Sequence, residues 1–226
     1  MNPRIARGME LGLSKAAATQ LSRLHSPQQV QDFVTAIPMN FEIDGGTALS
    51  VAEVLKQNRA HCIEGAFVAA CAFWMAGEPP LLMDMGADVG DDDHVIALFK
   101  RGKYWGAISK SNGYYLRYRD PIYRTLRELA LSYFHEYTKR GRKTLRTYSV
   151  AVDLRRIDPK LWVTNPNFCE DIVDVLTTAR HFNLVPRGVA QHLRPIDRVE
   201  SIANKVDEHE SPKKKQKKKP KPRTAS

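Results

Sequence analysis

The apolar and polar positions of the first 60 residues predict short helices with marked starts. Residues 26–29, Ser-Pro-Gln-Gln, combine a capping serine, a proline at the first helical position and a capping-box glutamine. The apolar residues that follow have the i, i+3, i+4, i+7 spacing of one helix face: Val30, Phe33, Val34 and Ile37. A second capping box, Ser-Val-Ala-Glu at residues 50–53, opens a helix that we expect to run through Gln57. Residues 1–24 give no clear pattern.

A third helix is predicted over residues 62–76 and differs from the others in its polarity. Glu64 is its only charged residue, so the helix should be buried on nearly all sides. Gly77 ends it, and the prolines at 79 and 80 prevent its continuation. We therefore expect this helix to lie at the centre of the fold.

Beyond residue 80 the pattern changes to that of strands. We expect strands at 81–83, 95–99 and 104–108, with a turn at 100–103, and another at 147–152. Three further helices are predicted to start at Asp120-Pro121, Pro166 and Pro195. The chain therefore reads as an α+β domain over residues 26–207, with an N-terminal extension (1–25) and a disordered polybasic tail (208–226).

Composition narrows the class of protein. The 226 residues are 42% hydrophobic and 27% charged, which is ordinary for a globular domain. The longest apolar run, residues 66–76, is too short to cross a bilayer, so no transmembrane segment is expected. No secretory signal is recognisable at the N-terminus. Three irregularly spaced cysteines favour a reducing, cytoplasmic location. The sequence carries no readable mark of oligomeric state.

The net charge of +10 is concentrated at the C-terminus. Eight cations and no acidic residue lie in residues 211–226, which leaves the body near +2. These cations are Lys213, Lys214, Lys215, Lys217, Lys218, Lys219, Lys221 and Arg223. Such a run can bind nucleic acid without sequence preference, act as an import signal or touch an anionic membrane. It can equally be a solubilising end.

Candidate chemistry centres on Cys62 and His94. Cys62 stands at the head of the apolar helix, and His94 leads a predicted strand. A helix N-terminus and a nearby imidazole are the features that lower the pKa of a thiol and make it nucleophilic. Cys71 and Cys169 are expected to be core residues. His61 is expected to point away from the sulfur, because neighbours at a helix start face apart.

The order of these residues resembles the transglutaminase-like superfamily, which has a papain-like fold. The likeness spans about residues 45–112: the helix-start cysteine, the turn at 77–79, the strand led by His94, and Trp105 followed four residues later by Ser109. The resemblance implies a central buried helix that carries the cysteine and packs on an antiparallel sheet, with peripheral helices. It also implies that Cys62 is the nucleophile, His94 the general base and acid, and Ser109 the third catalytic member.

Ser109 departs from the family pattern, which has aspartate at this place. A serine hydroxyl can accept a hydrogen bond from the imidazole, but it brings no charge. Asn112, Asp92 and Asp93 are alternative partners for the imidazole. The oxyanion would be held by the Cys62 backbone N–H, with Gln57 or Asn58 as a second donor.

The resulting hypothesis is a cysteine enzyme that cleaves protein or peptide amides through an acyl-thioester, with hydrolysis favoured over acyl transfer. It needs no cofactor or metal. The alternative is a catalytically degenerate binding module that the lysine-rich tail tethers to nucleic acid. A third possibility is a scaffold stabilised by a hard cation in an acidic loop, which could instead favour cationic substrates. The loop carboxylates are Asp84, Asp88, Asp91, Asp92 and Asp93.

Overall fold

The computed structural model of the chain describes residues 2–43 and 45–210. Its architecture is α+β, with the N-terminal helices packed on a five-stranded antiparallel sheet. The α-helices are α1 (Pro3–Glu10), α2 (Lys15–Ser22), α3 (Pro27–Ala36), α4 (Val51–Gln57), α5 (Cys62–Met75), α6 (Leu126–Tyr133), α7 (Glu170–Thr178) and α8 (Arg198–Ala203). The strands are β1 (Leu81–Met85), β2 (His94–Arg101), β3 (Tyr104–Ile108), β4 (Arg119–Tyr123), β5 (Thr138–Lys139), β6 (Arg142–Lys143), β7 (Thr147–Ser149), β8 (Val152–Asp153) and β9 (His181–Asn183).

The main sheet has the strand order β4-β3-β2-β1-β8, with every neighbouring pair antiparallel. Two small ladders, β5–β6 and β7–β9, lie outside it. The register pairs Met85 with His94, and Ala97 with Ile108. The start of β2 and the end of β3 therefore meet at the same end of the sheet, which brings His94 and Ser109 together.

Helix α5 is the centre of the larger hydrophobic core, as its composition predicts. It packs on β2 and is surrounded by α1, α2, α3 and α4. Cys71, in its middle, is fully buried. Trp162 stacks on Trp74 with ring centroids 5.9 Å apart and lies against Phe67 at 6.1 Å. A helix enclosed in this way has a fixed N-terminus, which is what a reactive group placed there requires.

The two faces of the sheet follow the two-residue period of a strand. Val95, Ala97 and Phe99 of β2 face the core around α5, whereas Ile96 and Leu98 belong to a second core that includes α6. The second core contains fully buried Tyr133, so both faces of the central strands are covered.

Residues 3–22, where the sequence shows no clear pattern, form α1 and α2. Both helices pack against α5 and bury Leu11, Leu13 and Leu21 in its core. The contact is close because Gly8 has no side chain: a Cβ at this residue would lie 2.8 Å from the Cβ of Ala18. The N-terminal residues are thus part of the main core.

Several predicted boundaries are wrong. Asp120-Pro121 does not open a helix but lies in the edge strand β4, where a residue without an N–H is tolerated. The helix α6 starts after Thr125, which caps it by accepting from the Glu128 N–H. The predicted strand 147–152 is divided into β7 and β8, and the last two helices start three or four residues later than predicted.

Residues 208 and 209, the first of the predicted tail, form hydrogen bonds with Asn112. Glu208 donates its N–H to the Asn112 carbonyl, and the Asn112 side chain forms two hydrogen bonds with the backbone of His209. The cations from Lys213 onward lie outside the described residues. Among the helices that the structure describes, none has both the length and the apolar character needed to span a membrane.

Candidate active site

Cys62 is the first residue of α5, and its side chain is half-buried. The residue before it, His61, is the N-cap and has an extended backbone (φ −104°, ψ −165°). The first amides of a helix have no intrahelical acceptor, and the helix dipole places partial positive charge at them. The sulfur therefore lies where an anion is stabilised.

The ring of His61 does not point away from the sulfur, which corrects the expectation from its position. Its Nδ1 lies 3.7 Å from Cys62 Sγ, and its Nε2 lies 2.9 Å from the Thr47 carbonyl oxygen. Carboxylate oxygens of Glu42 and Glu64 are 3.5 and 3.4 Å from the same Nε2. The contacts of Nε2 with Thr47, Glu42 and Glu64 hold the ring in this orientation, beside the sulfur.

Glu64 is a fully buried carboxylate that ties the start of α5 to the segment between α3 and α4. It accepts from the backbone N–H of His61 at 2.8 Å and of Leu49 at 2.9 Å. The Thr47 hydroxyl and the Asn40 amide also donate to it, at 2.8 and 3.0 Å. These donors and the neighbouring imidazole replace the hydration that an ionised carboxylate loses on burial.

His94 is buried and bonded to Ser109, with 2.8 Å between Nε2 and Oγ. The Ser109 hydroxyl has a single proton, which it donates to the Leu116 carbonyl oxygen. Ser109 must therefore accept from His94, so Nε2 carries a proton and Nδ1 is the nitrogen left for acid–base chemistry. His94 also acts on Cys62 and lowers the pKa of its thiol.

The acceptor of the Ser109 proton is itself held in place. Leu116 has a positive φ of 52°, which is unfavourable for a residue with a branched side chain. Its N–H donates to Glu136 at 3.0 Å, and Glu136 forms a 2.6 Å ion pair with Arg119. The edge of Tyr137 packs against the His94 ring, with centroids 6.4 Å apart. The imidazole is thus fixed by a hydroxyl and by an aromatic ring.

The three cysteines differ sharply in acidity. Burial alone would raise the pKa of Cys62, but the neighbouring imidazoles of His61 and His94 outweigh it and lower the pKa well below the ordinary value. Burial raises the pKa of Cys71 and of Cys169 to about 12, since no imidazole opposes it there. Only Cys62 among them has the environment of a nucleophilic thiolate.

The charges beside the sulfur are consistent with a cationic His61. Burial opposes protonation of His61, but its hydrogen bonds with Cys62 and Glu64 raise its pKa to about 11. Burial would raise the pKa of Glu64, whereas the hydrogen bond with His61 and the other donors lower it to about 2. The two residues form a buried ion pair whose positive member touches the sulfur.

Cys62, His61 and His94 line one open cleft of about 320 Å³. Its rim includes Glu42 and residues 91–93. A larger hollow of about 780 Å³ lies between α1 and the end of α5, but no cysteine lines it. We regard the smaller cleft as the candidate active site because it contains the nucleophile.

The alternative partners proposed for His94 are engaged elsewhere. Asn112 lines the cleft but bonds to the backbone of His209. Asp92 pairs with Lys139 at 3.1 Å, and Asp93 accepts from the Ala87 N–H at 2.7 Å. Among the sequence candidates, Ser109 is the one bonded to His94.

The side chains expected to complete an oxyanion hole do not lie in the cleft. Gln57 donates to Glu53 at 2.8 Å, and Asn58 ends α4 in a left-handed conformation with φ 50°. Both are exposed residues at the other end of the loop that precedes α5. The Cys62 backbone N–H remains the available donor.

The acidic loop is neutralised mainly by basic side chains and backbone amides. Asp88 pairs with Arg146 at 2.7 Å, and Asp91 pairs with Lys139 at 3.3 Å. Asp84 contacts His181 at 3.1 Å, and burial followed by the charge of Asp93 raises its pKa to about 6. In the described part of the chain, no group of three or more His, Cys, Asp or Glu side chains is arranged to hold a metal ion.

Sequence reasoning missed two features of the cleft. The role of His61 had a visible signal, since it adjoins the candidate cysteine and precedes Glu64 by three residues. The burial of Lys110 had no signal in the sequence. This residue is 1% exposed, and its ammonium donates to the carbonyls of Thr35 and Ile37 at the end of α3. Burial lowers its pKa to about 8.

Comparison with known proteins adds no family assignment. A scan against protein-family models finds no match for this chain, and a search of curated proteins finds no similar sequence. The chemistry of the cleft must therefore be argued from its own geometry.

Proposed function

We propose that this protein is a cysteine enzyme of the transglutaminase-like type, with a papain-like arrangement of helix and sheet, that acts on protein or peptide amides. The observation that carries the proposal is the setting of Cys62: a half-buried thiol at a helix N-terminus, 3.7 Å from the His61 imidazole, in an open cleft that His94 also lines. This is the environment in which a thiol is ionised at neutral pH.

The proposed first half-reaction forms an acyl-thioester. The proton of the Cys62 thiol resides on Nδ1 of His94, and the thiolate attacks the amide carbonyl carbon. The new C–S bond pushes an electron pair onto the carbonyl oxygen, which the Cys62 N–H stabilises. When the C=O bond re-forms, the C–N bond breaks and the leaving nitrogen takes the proton from His94.

In the second half-reaction His94 works as a base. Its Nδ1 removes a proton from water, whose oxygen attacks the thioester, and the C–S bond breaks to release the acid and the thiolate. An amine could replace water and give acyl transfer. We favour hydrolysis because the cleft is open to solvent and the site has no described feature that excludes water.

Trapping of the acyl-enzyme tests the proposal. The full-length protein is mixed with p-nitrophenyl acetate, and the nitrophenolate burst is followed while intact-mass and peptide-mass spectra locate the acetyl group. We expect a hydroxylamine-sensitive acetyl on Cys62, no burst in Cys62→Ser, and an unchanged burst in Cys71→Ala. Acetylation elsewhere, or an equal burst in Cys62→Ser, would refute the proposal.

A further inference from the structure

We propose that His61 is a second catalytic imidazole: it stays protonated and holds the Cys62 thiolate, which leaves His94 free to carry protons. This inference rests on the function proposed above and assigns separate tasks to the two histidines. It also explains how a neutral serine can occupy the third position, because the carboxylate of the site acts through His61 instead.

The hydrogen bonds of His61 determine where its protons are. The Thr47 carbonyl oxygen is only an acceptor, so the bond of 2.9 Å requires a proton on Nε2. The thiolate faces Nδ1 at 3.7 Å and favours a proton there as well. Carboxylates of Glu42 and Glu64 within 3.5 Å of Nε2 stabilise the doubly protonated ring.

The hydrogen-bond partners of His94, unlike those of His61, carry no negative charge. Its Nε2 proton is accepted by the neutral Ser109 hydroxyl, which in turn donates to a neutral carbonyl. Among the ion pairs of the described residues, none joins His94 to a carboxylate, whereas His61 has two. His94 therefore lacks the carboxylates that hold the protons of His61. Its Nδ1 proton is the one given to the leaving nitrogen, and a proton taken from the attacking water replaces it.

Other charged groups around the sulfur do not change this assignment. The titratable groups that act on Cys62 or its two imidazoles come from α5, the segment between α3 and α4, β1, β2 and the segment after α6: Glu64, Glu42, Asp84, His94 and Tyr137. Glu42 and Glu64 face His61. Asp84 is bonded to His181, and Tyr137 donates to the Asp92 carbonyl.

During turnover the two roles differ in when a proton moves. His94 gives its proton to the leaving nitrogen and regains one from the attacking water. His61 keeps both protons, so it stabilises the thiolate before acylation and again when the thiolate departs from the thioester. The proton balance of the cycle is the same as with one histidine.

Alkylation of Cys62 by iodoacetamide as a function of pH separates the two roles. Peptide mass spectra follow Cys62, with buried Cys71 as an internal control. In His61→Gln we expect the thiolate to be lost, so that alkylation near neutral pH slows by about tenfold or more and its midpoint moves upward. In His94→Gln we expect fast alkylation to persist but hydrolysis of the acetyl-enzyme to slow by about 100-fold or more.

The reverse pattern would overturn the inference: a thiol of ordinary acidity in His94→Gln and an unchanged profile in His61→Gln. If instead the native protein itself alkylates like an ordinary thiol, the proposed function fails as well, so the two failures are distinct. Should His61→Gln not fold, Glu42→Gln replaces it, because this residue is on the cleft rim and its amide oxygen can still accept from Thr47. An alkylation midpoint raised in Glu42→Gln supports the inference, and an unchanged one refutes it.

Discussion

Ser109→Ala is the most direct test of how His94 is held. The Ser109 hydroxyl forms two hydrogen bonds at a side chain only 1% exposed: it accepts from His94 and donates to the Leu116 carbonyl. Alanine removes both without adding volume. An imidazole N–H and a backbone carbonyl are then left without partners in an environment that water does not reach.

The expected loss of stability in Ser109→Ala follows from those two hydrogen bonds. A buried polar group without a partner costs about 1–3 kcal/mol, so the loss of two such bonds should lower the free energy of unfolding by about 2–6 kcal/mol. The imidazole also loses the contact that fixes its rotation and its tautomer. If about 1.4–2.7 kcal/mol of that interaction is retained in the transition state, hydrolysis of the acyl-enzyme slows by about 10- to 100-fold.

Ser149→Ala provides a matched control. Ser149 is also fully buried, and it too forms two bonds: its hydroxyl accepts from the Asp84 N–H at 2.9 Å and donates to the Val150 carbonyl at 2.8 Å. It does not line the cleft. Urea unfolding should give similar losses of stability for the two variants, whereas only Ser109→Ala should slow the decay of acetyl-Cys62.

The comparison has a clear refuting outcome. If both variants lose the same stability and acetyl-Cys62 decays equally fast in each, Ser109 is a packing residue and does not position the imidazole. An effect of Ser109→Ala on the alkylation midpoint of Cys62 as large as that of His61→Gln would also contradict the separate roles of the two histidines.

Three further predictions concern other parts of the chain. The pKa of Glu64 is about 2 in the folded protein, below the ordinary value of 4.5, so its stabilisation is complete above pH 4.5 and is lost as pH falls towards 2. The stability difference between the native protein and Glu64→Gln should therefore shrink by about 2 kcal/mol from about pH 5 to about pH 3. A constant difference in urea unfolding would contradict this. Removal of residues 211–226 should abolish retention on immobilised DNA or RNA at low salt and leave acetylation of Cys62 intact. Retention by the shortened chain would exclude the tail as the tether. A native phenotype in Cys62→Ser would favour the binding-module alternative. Gly8→Ala should lower the free energy of unfolding by about 1–3 kcal/mol, since the added methyl meets Ala18 at 2.8 Å; an unchanged thermal midpoint would show that α1 can move away from α2 at no cost.

The parts of the fold that depend on local chemistry were predictable. Helix α5 starts at the predicted residue and ends one residue early, because its apolar composition and the following glycine define it without help from tertiary structure. Helix α4 matches the extent predicted from its capping box, with Ser50 accepting from the Glu53 N–H. Strand β3 also has the predicted bounds.

Elements whose identity depends on a partner were not predictable. Asp120-Pro121 has the local signature of a helix start, yet pairing of β4 with β3 through Trp105 and Ala107 draws it into the sheet. Helices α1 and α2 have eight residues each, which is too few for a convincing period, and they are stabilised by packing on α5.

The same distinction applies within the candidate site. Cys62 and His94 were recognisable because a helix start and a strand start are local features, but the charge that acts on the sulfur is not. That charge is the positive charge of His61, and it is stabilised by Glu64, which is buried by contacts with Asn40, Thr47 and Leu49. The orientation of the histidine in turn depends on the Thr47 carbonyl. Because a charge can be supplied from either side of the sulfur, the neutral serine at position 109 does not by itself argue against turnover. The electrostatics of the whole cleft must be considered before such a site is judged inactive.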